Sequence, residues 1–458
     1  MNKNYDLAII GAGPGGYVAA IRCAQLGFSV CLIEKQALGG VCLNCGCIPT
    51  KTLIKSACGL EMLKHCADSG ITISGFNFDF TGLLKKKTEI ISNLKKGVEF
   101  ILKKRGIEII RGIGKITDKN SLEVNGIKVG FKNCIIAIGS EPAQLKGMEF
   151  DQGKGILSSK QLLDIDYVPE SLLIVGGGVI GCEFAYIFNA FGAKVTIVEA
   201  EEQILPLEDA EAVKILSLNL KKRGIKIFNR TLVNKINNNS KINEALLSSG
   251  ETVLAEKVLI AAGRKPVFQD CGILELGIKQ ENNRIVVDQR MRTNLENFYA
   301  IGDCANFLNL AHLASKQGII AAENIAGKKT EIADSCVPKC VYTDPQIASV
   351  GMSVREAKER GIAIKTAKFP FSAVSKALIE KQNQGFVKLI SIADNSRIIG
   401  AVICGHLASE LIAQLSIAIE HKLNTEQVAR VIYAHPTFSE AVMEAAYAAE
   451  QMPVHILR

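Results

Sequence analysis

An α/β architecture, two copies of one βαβ unit followed by a separate α+β domain, is predicted by three features of the sequence. A short apolar strand, residues 7–10, runs straight into Gly11-Ala12-Gly13-Pro14-Gly15-Gly16, then a helical stretch, a second strand and an acid, Glu34. The same order recurs from Leu172 through Gly176-Gly177-Gly178-Val179-Ile180-Gly181 to Glu199. Gly16 to Glu34 and Gly181 to Glu199 are both 18 residues, so the units superimpose with a constant offset of 165. From about Val337 the pattern changes, with Pro338, Pro345 and Pro370 punctuating strands.

Size and composition agree. A chain of 458 residues has room for several domains. With 48% hydrophobic residues, 40 glycines and no tryptophan, it has the composition of a globular α/β chain with a large core. Its 14 cysteines are irregularly spaced, which argues against a secreted disulfide framework. Strand-like sequence starts at Leu7, leaving no space for a secretory leader, and no apolar run reaches membrane-spanning length. A cytoplasmic protein is expected, although a matrix protein stripped of its transit peptide would read the same.

In chain order, the first unit is a strand, a helix over 17–26 and a strand over 28–33 that ends on Glu34. Gly11, Gly13 and Gly16 allow a tight turn and close approach of a pyrophosphate to the helix N-terminus, and Glu34 can accept hydrogen bonds from ribose hydroxyls. The glycine pattern alone is weak evidence, but with strand, helix and acid all in place it predicts dinucleotide binding. In the second unit Gly176, Gly178, Gly181 and Glu199 take the same roles. Glu199 would repel a 2′-phosphate and Ala200-Glu201-Glu202 offers no arginine to receive one, so NAD is favoured over NADP.

Between the first unit's acid and its next helix lies Gly39-Gly40-Val41-Cys42-Leu43-Asn44-Cys45-Gly46-Cys47-Ile48-Pro49-Thr50-Lys51. If the segment after Gly40 is helical, a modest distortion of the first turn brings the Cys42 and Cys47 sulfurs to bonding distance, and a helix start favours a thiolate. Two other readings stand beside this redox pair. The cysteines can be small core residues, or Cys42 and Cys45 can be half of a zinc site, although no matching Cys/His cluster follows. No metal is expected.

Next comes a lysine-rich helix in which Leu83, Ile90, Ile91, Leu94, Val98, Ile101 and Leu102 form one stripe and the lysines of 85–87, 95–96 and 103–104 take the other faces. It supplies much of the net charge of +8. No stacking aromatics accompany the lysines, so a solvated face is expected and nucleic-acid binding is not. Residues 107–138 read as short strands with turns at Gly112, Gly114 and Gly126, ending in Ile138-Gly139-Ser140. The run from Val258 to Gly263 has the same form: an apolar strand whose terminal glycine lets backbone pass close to a cofactor, or simply enters a loop. Residues 298–303 read as a strand delivering Asp303, either as a helix-approach cap or toward a polyol hydroxyl, with a helix over 310–326 behind it. The C-terminal domain has strands over 385–392 and 398–403 and helices over 408–420, 425–430 and 439–449. Within it, His435 and Glu440 flank a proline turn, either as a base oriented by a carboxylate or as an ordinary capped helix start.

With these residues in view the chain resembles the pyridine nucleotide-disulfide oxidoreductases over nearly its whole length. The most specific points are residues 39–51, Ala300-Ile301-Gly302-Asp303, Tyr342-Thr343-Asp344-Pro345-Gln346, Phe369-Pro370-Phe371-Ser372-Ala373, and Ala434-His435-Pro436-Thr437 through Glu440. The resemblance implies two Rossmann-like dinucleotide-binding domains plus a C-terminal α+β dimerisation domain. It places a tightly bound FAD in 1–143, with the redox dithiol, and NAD in 144–265. It returns the chain to the FAD-binding central domain over 266–336, and has 337–458 make a homodimer.

The resemblance further implies reversible oxidation of protein-bound dihydrolipoyl groups, carried by the lipoyl domains of 2-oxoacid dehydrogenase complexes or of the glycine cleavage system. Cys47 would lie against the flavin, Cys42 would exchange with substrate, and His435, paired with Glu440, would serve the dithiol of the other subunit. Lys51 and Glu183 would sit at the flavin's reactive edge. Ile138, Gly139, Ser140, Gly114, Asp303, Asn309, Leu310, Ala311 and His312 would touch FAD, and Gly263 would join the NAD site. Departures from the usual pattern are Val41, Thr50, Ile138, Tyr433 and Cys45, of which Cys45 opens a competing pairing with Cys42. Within the family, a glutathione-specific enzyme would want basic residues after the second unit and a mercuric one a cysteine pair near the C-terminus; the chain has neither. A transhydrogenase would not need both thiols, and a subunit that kept the fold without turnover is the reading outside enzymes.

Overall fold

The computed structural model describes residues 3–151, 155–239, 241–268, 271–332 and 336–457. Strands β1 (Lys3–Ile10) and β2 (Val30–Glu34) flank helix α1 (Pro14–Gln25). Two helices follow, α2 (Gly40–Cys45) and α3 (Cys47–Lys64), then the long α4 (Phe80–Lys104). Strands β3 (Glu108–Arg111), β4 (Gly114–Asp118), β5 (Ser121–Val124) and β6 (Ile127–Ile136) complete a sheet of order β3-β2-β1-β6-β5-β4. Its first four strands are parallel and its last two antiparallel. Leu7 to Ile10 are buried on both faces of β1, as a central parallel strand requires.

The second unit contains β7 (Glu141–Pro142), β8 (Ile156–Leu157), α5 (Ser159–Leu163), β9 (Ser171–Val175), α6 (Val179–Ala190), β10 (Lys194–Val198), α7 (Ala210–Lys222) and β11 (Lys226–Phe228). An antiparallel insert, β12 (Val233–Asn239), β13 (Ile242–Leu247) and β14 (Thr252–Ala255), precedes β15 (Lys257–Ile260). The parallel sheet runs β11-β10-β9-β15-β8. The chain then returns through β16 (Arg264–Lys265), antiparallel to β7, and a hairpin of β17 (Gln280–Glu281) and β18 (Arg284–Ile285). Strand β19 (Phe298–Ala300) adds to β6 in the first sheet, and α8 (Ala311–Ile325) packs on α1.

The C-terminal domain holds β20 (Lys339–Val341), β21 (Gln346–Gly351), α9 (Val354–Glu359), β22 (Ile364–Pro370), α10 (Ser375–Ile379), β23 (Phe386–Ile392), β24 (Ile398–Gly405), α11 (Ala408–Glu420), α12 (Thr425–Ala429) and α13 (Glu440–Ala449). Its sheet, β20-β21-β24-β23-β22, is antiparallel throughout. The expected domain boundary at 336/337 adjoins residues 333–335, which lie outside the described ones. One core cluster joins Leu53, Ile54 and Ala57 of α3 to Phe184 and Phe188 of α6 and to Phe386, Val402 and Cys404 of the C-terminal sheet. Apolar burial therefore holds the dithiol helix between the second unit and the last domain.

Most elements match the expectation within a few residues. Helix α1 starts three residues early, because Pro14 supplies a preset first helical φ and lacks only an N–H that would be unpaired there. The strand expected over 298–303 stops at Ala300 and gives way to a tight turn carrying Asp303. The reading of α4 needs one correction: Lys87 is buried, and its ammonium donates to the Leu163 carbonyl at the end of α5. Burial lowers its pKa. The apolar stripe is also incompletely covered, with Leu94 and Ile101 exposed. Among the described residues no helix is long and apolar enough to cross a membrane.

Candidate functional site

The dithiol segment is built on the first glycine loop. Gly39 and Gly40 both have positive φ, 89° and 57°, and a Cβ on Gly40 would lie 2.6 Å from the Gly13 Cα, so only glycine lets α2 start there. The Asn44 amide donates to the Leu38 and Gly40 carbonyls at 2.9 and 2.8 Å, holding this turn. The expected single helix is broken at Gly46, with φ −143° and ψ −110°. Helix α3 restarts at Cys47, and a helix start favours a thiolate there.

This break brings the two side chains together: Cys42 and Cys47, both free thiols, are hydrogen-bond partners. The bond from Cys42 lowers the Cys47 pKa to about 7 against opposing burial, with the Lys51 charge helping. The same bond, with burial, drives the Cys42 pKa up. Cys45 ends α2; its pKa is raised by burial, against the opposing charges of Lys160 and Arg264. Among the described residues no His/Cys/Asp/Glu group could hold a metal ion, so the zinc reading finds no support.

One turn along α3 from Cys47, Lys51 makes a two-point ion pair with Glu183 of α6, at 2.9 and 2.8 Å. The Glu183 side chain is 5% exposed and that of Lys51 33%. The Tyr342 N–H donates to the same carboxylate at 3.1 Å, and the Lys51 ammonium lies 4.5 Å from the centre of the Tyr342 ring. Elements from all three regions of the chain thus converge beside Cys47.

The two glycine loops are near-copies. A Cβ on Gly16 would sit 1.8 Å from the Gly11 carbonyl oxygen, and one on Gly181 2.0 Å from that of Gly176. Gly11 and Gly176 have φ of 101° and 105°. At Gly13 and Gly178, just before each helix, an added Cβ would meet nothing within 4 Å. Glu34 accepts from the Ala12 and Gln36 N–H groups at 2.7 and 2.6 Å, and Glu199 from those of Gly177 and Glu201 at 2.6 and 2.9 Å. Each acid is buried and steered toward its own glycine turn.

Farther along the first unit, Ser140 donates to Asp303 at 2.5 Å, while the Arg264 guanidinium donates to the Ser140 hydroxyl and carbonyl at 2.9 and 2.6 Å. Arg264 belongs to no motif of its own, and its place right after Gly263 is the one sequence signal for it. Gly139 and Gly263 turn with φ of 70° and 122°. Gly114 opens β4, where an added Cβ would come within 3.2 Å of the Ile33 side chain, and Ile138 packs partly buried against the core of the first sheet. In the 309–312 segment, Leu310 and Ala311 begin α8, and His312 donates to the Pro338 carbonyl at 2.9 Å. Asn309 has a buried Oδ1 with no hydrogen-bond partner among the described residues.

The expected base and its carboxylate lie elsewhere in the chain. The His435 Nδ1–H donates to Glu440 Oε1 at 2.9 Å, and the Thr437 N–H holds the other carboxylate oxygen at 2.8 Å. Burial would raise the Glu440 pKa, but these two bonds outweigh it and lower it. The His435 side chain is 69% exposed, and among the described residues no hydrogen bond or ion pair joins it to Cys42 or Cys47.

Two dinucleotide loops around a thiol pair, with a carboxylate-oriented histidine on a further domain, define a flavin- and nicotinamide-linked disulfide oxidoreductase. The chain belongs to the pyridine nucleotide-disulphide oxidoreductase family: that family's model matches residues 5–318, and the family's dimerisation-domain model matches 337–446. Similar relatives are the dihydrolipoyl dehydrogenases of Bacillus subtilis (strain 168), 39% identical, and Geobacillus stearothermophilus, 40% identical. Each alignment covers 99% of this chain, and 98% and 97% of the respective relative. Among solved structures, LpdA from Mycobacterium tuberculosis aligns with a TM-score of 0.90 at 27% identity, over 97% of this chain and 99% of that one. The HOCl-induced flavoprotein disulfide reductase RclA from Escherichia coli aligns at 0.86, also at 27% identity, over 96% of this chain and 99% of that one. Members of this family use FAD and NAD. The open space before α1 and α6, the acids behind it and the orphaned Asn309 Oδ1 fit two such dinucleotides.

Proposed function

We propose that the chain is a dihydrolipoyl dehydrogenase, oxidising dihydrolipoyl groups on lipoyl domains and reducing NAD. The observation that carries this reading is the meeting of Cys42 and Cys47 at the restart of α3, beside the Lys51–Glu183 pair. The relatives' shared name supports the choice of substrate.

In the working cycle the resting pair is the Cys42–Cys47 disulfide. Glu440 holds His435 by Nδ1 and leaves Nε2 to take a proton from the dihydrolipoyl thiol. The resulting thiolate attacks the Cys42 sulfur, forming a mixed disulfide and releasing Cys47 as a thiolate, which the charge of Lys51 stabilises. The second substrate thiol then closes the lipoyl disulfide and expels Cys42: His435 gives its proton to the leaving Cys42 sulfur and takes the proton of that second thiol, so the pair ends as a Cys42 thiol and a Cys47 thiolate with one proton on His435. FAD, when bound, supplies the two-electron path from Cys47 to NAD. Gly11, Gly13, Gly16, Glu34, Ser140, Asp303 and the 309–312 segment would hold FAD. Gly176, Gly178, Gly181, Glu199 and Gly263 would hold NAD.

The dimerisation domain, with His435 exposed on it, supports a homodimer in which each histidine serves the partner's dithiol. An assay of NAD reduction by free dihydrolipoamide, run beside NADPH oxidation by glutathione disulfide, tests the reading. Turnover in the first and none in the second is expected; the reverse would reject it.

A further inference from the structure

Helix α13 carries two buried or half-buried carboxylates one turn apart, and each is met by a histidine from a different segment. Glu440 is met by His435 from the loop before the helix, and Glu444 by His455 from the tail after it, with His455 Nδ1–H donating to Glu444 Oε1 at 2.7 Å. Residues at i and i+4 share a helix face, about 6 Å apart between Cβ atoms, so two carboxylates there repel unless each is compensated. Glu444 is the more enclosed: its side chain is 4% exposed, and its Oε2 is buried with no hydrogen-bond partner. Among the described residues His455 is therefore its one hydrogen-bonded partner, and it holds the tail against the helix.

We propose that His455 is a positioning residue: paired with Glu444, it anchors the C-terminal tail on α13 and balances the second carboxylate beside the His435–Glu440 base. The charge of His455 already reaches Glu440. Few other charges contend on the elements packed against α13. On β22, Lys368 pairs with Glu211, and on β23, Lys388 pairs with Asp209 and Glu211. On α12, Glu426 pairs with Arg430. Lys365 is exposed on β22, on the same side of the strand as Phe369, and Glu450 accepts from Thr425 at the far end of α13.

This inference rests on His435 acting as the base, and its test separates the two ideas. The pH dependence of dihydrolipoamide oxidation by the FAD-loaded dimer is compared in wild type, His455→Gln and Glu444→Gln, with His435→Gln as the control for the base. His455→Gln leaves a negative charge uncompensated near the base, so its acid limb moves up by about half a pH unit, while Glu444→Gln removes that charge and moves the limb down by a similar amount. A purely structural role would lower turnover in both variants without opposite shifts, and that result, or no shift, overturns the proposal. If His455→Gln does not fold, the near-isosteric Glu444→Gln still reads the downward shift. Tail anchoring is read without turnover: carboxypeptidase should trim His455→Gln several-fold faster than wild type, and equal rates overturn the proposal even in an inactive protein. A wild type that is inactive with dihydrolipoamide, yet trims slower than His455→Gln, would count against the function alone.

Discussion

Cys47 is where burial, a hydrogen bond and a cation compete, and the result sets its chemistry. Burial opposes the thiolate, but the bond from Cys42 and the Lys51 charge bring the pKa down to about 7. A pKa lowered in the folded state means that the thiolate stabilises the reduced protein above the unfolded thiol's pKa, and that this contribution is lost as pH falls through about 7. The long-wavelength absorbance of a thiolate beside oxidised flavin should fade over that interval, and Cys47→Ser should lack it. Lys51→Met should move the midpoint upward, by about half a unit or more. A midpoint that stays put would remove Lys51 from this role. The same variant leaves Glu183 enclosed, with the Tyr342 N–H as its remaining hydrogen-bond donor, which should cost about 2–3 kcal/mol in denaturant unfolding, less than a fully buried pair because Lys51 is partly exposed. Cys45 is different: burial keeps it a thiol. Cys45→Val should stay active while Cys42→Ser and Cys47→Ser do not, and an inactive Cys45→Val would mean that the exchange runs through the other pairing.

The βαβ units make a matched experiment, because the same substitution meets the same obstacle in both. A Cβ at Gly16 or Gly181 would overlap a backbone carbonyl at 1.8 or 2.0 Å, and neither strand can move without shifting the parallel sheet it belongs to. Gly16→Ala should lose flavin from the purified protein, whereas Gly181→Ala should remain yellow and be reduced by dihydrolipoamide but fail to reduce NAD. Equal flavin loss in both would contradict the division of labour. These units were legible because strand, glycine turn, helix and acid are contiguous in sequence. The dithiol was legible as residues but not as shape: the helix break at Gly46 depends on how α2 starts over Gly13, well before it in the chain. The antiparallel insert β12–β14 has no distinctive spacing. The Lys87, Arg264 and Glu444–His455 contacts are not legible in the sequence because their partners, Leu163, Ser140 and one another, are joined by the fold rather than by any periodicity.

Across the chain, no hydrogen bond or ion pair among the described residues joins the dithiol to the proposed base. Burial fixes the dithiol between the second unit and the last domain, whereas His435 faces outward on the last domain beside the exposed Val431 and Ile432. Exposed apolar side chains next to an oriented base are suited to burial against a second copy, and a two-fold axis would repeat the arrangement at two sites. This arrangement predicts complementation. Cys42→Ser and His435→Gln should each give inactive homodimers. When the two variants are co-expressed with different tags and the mixed dimer is isolated, one site combines both lesions and the other combines an intact dithiol with an intact histidine. The mixed dimer should then show about half of wild-type turnover, since one of two symmetry-related sites is whole. If base and dithiol instead worked within one subunit, every site in the mixed dimer would carry one lesion, and turnover would stay at the level of the single variants.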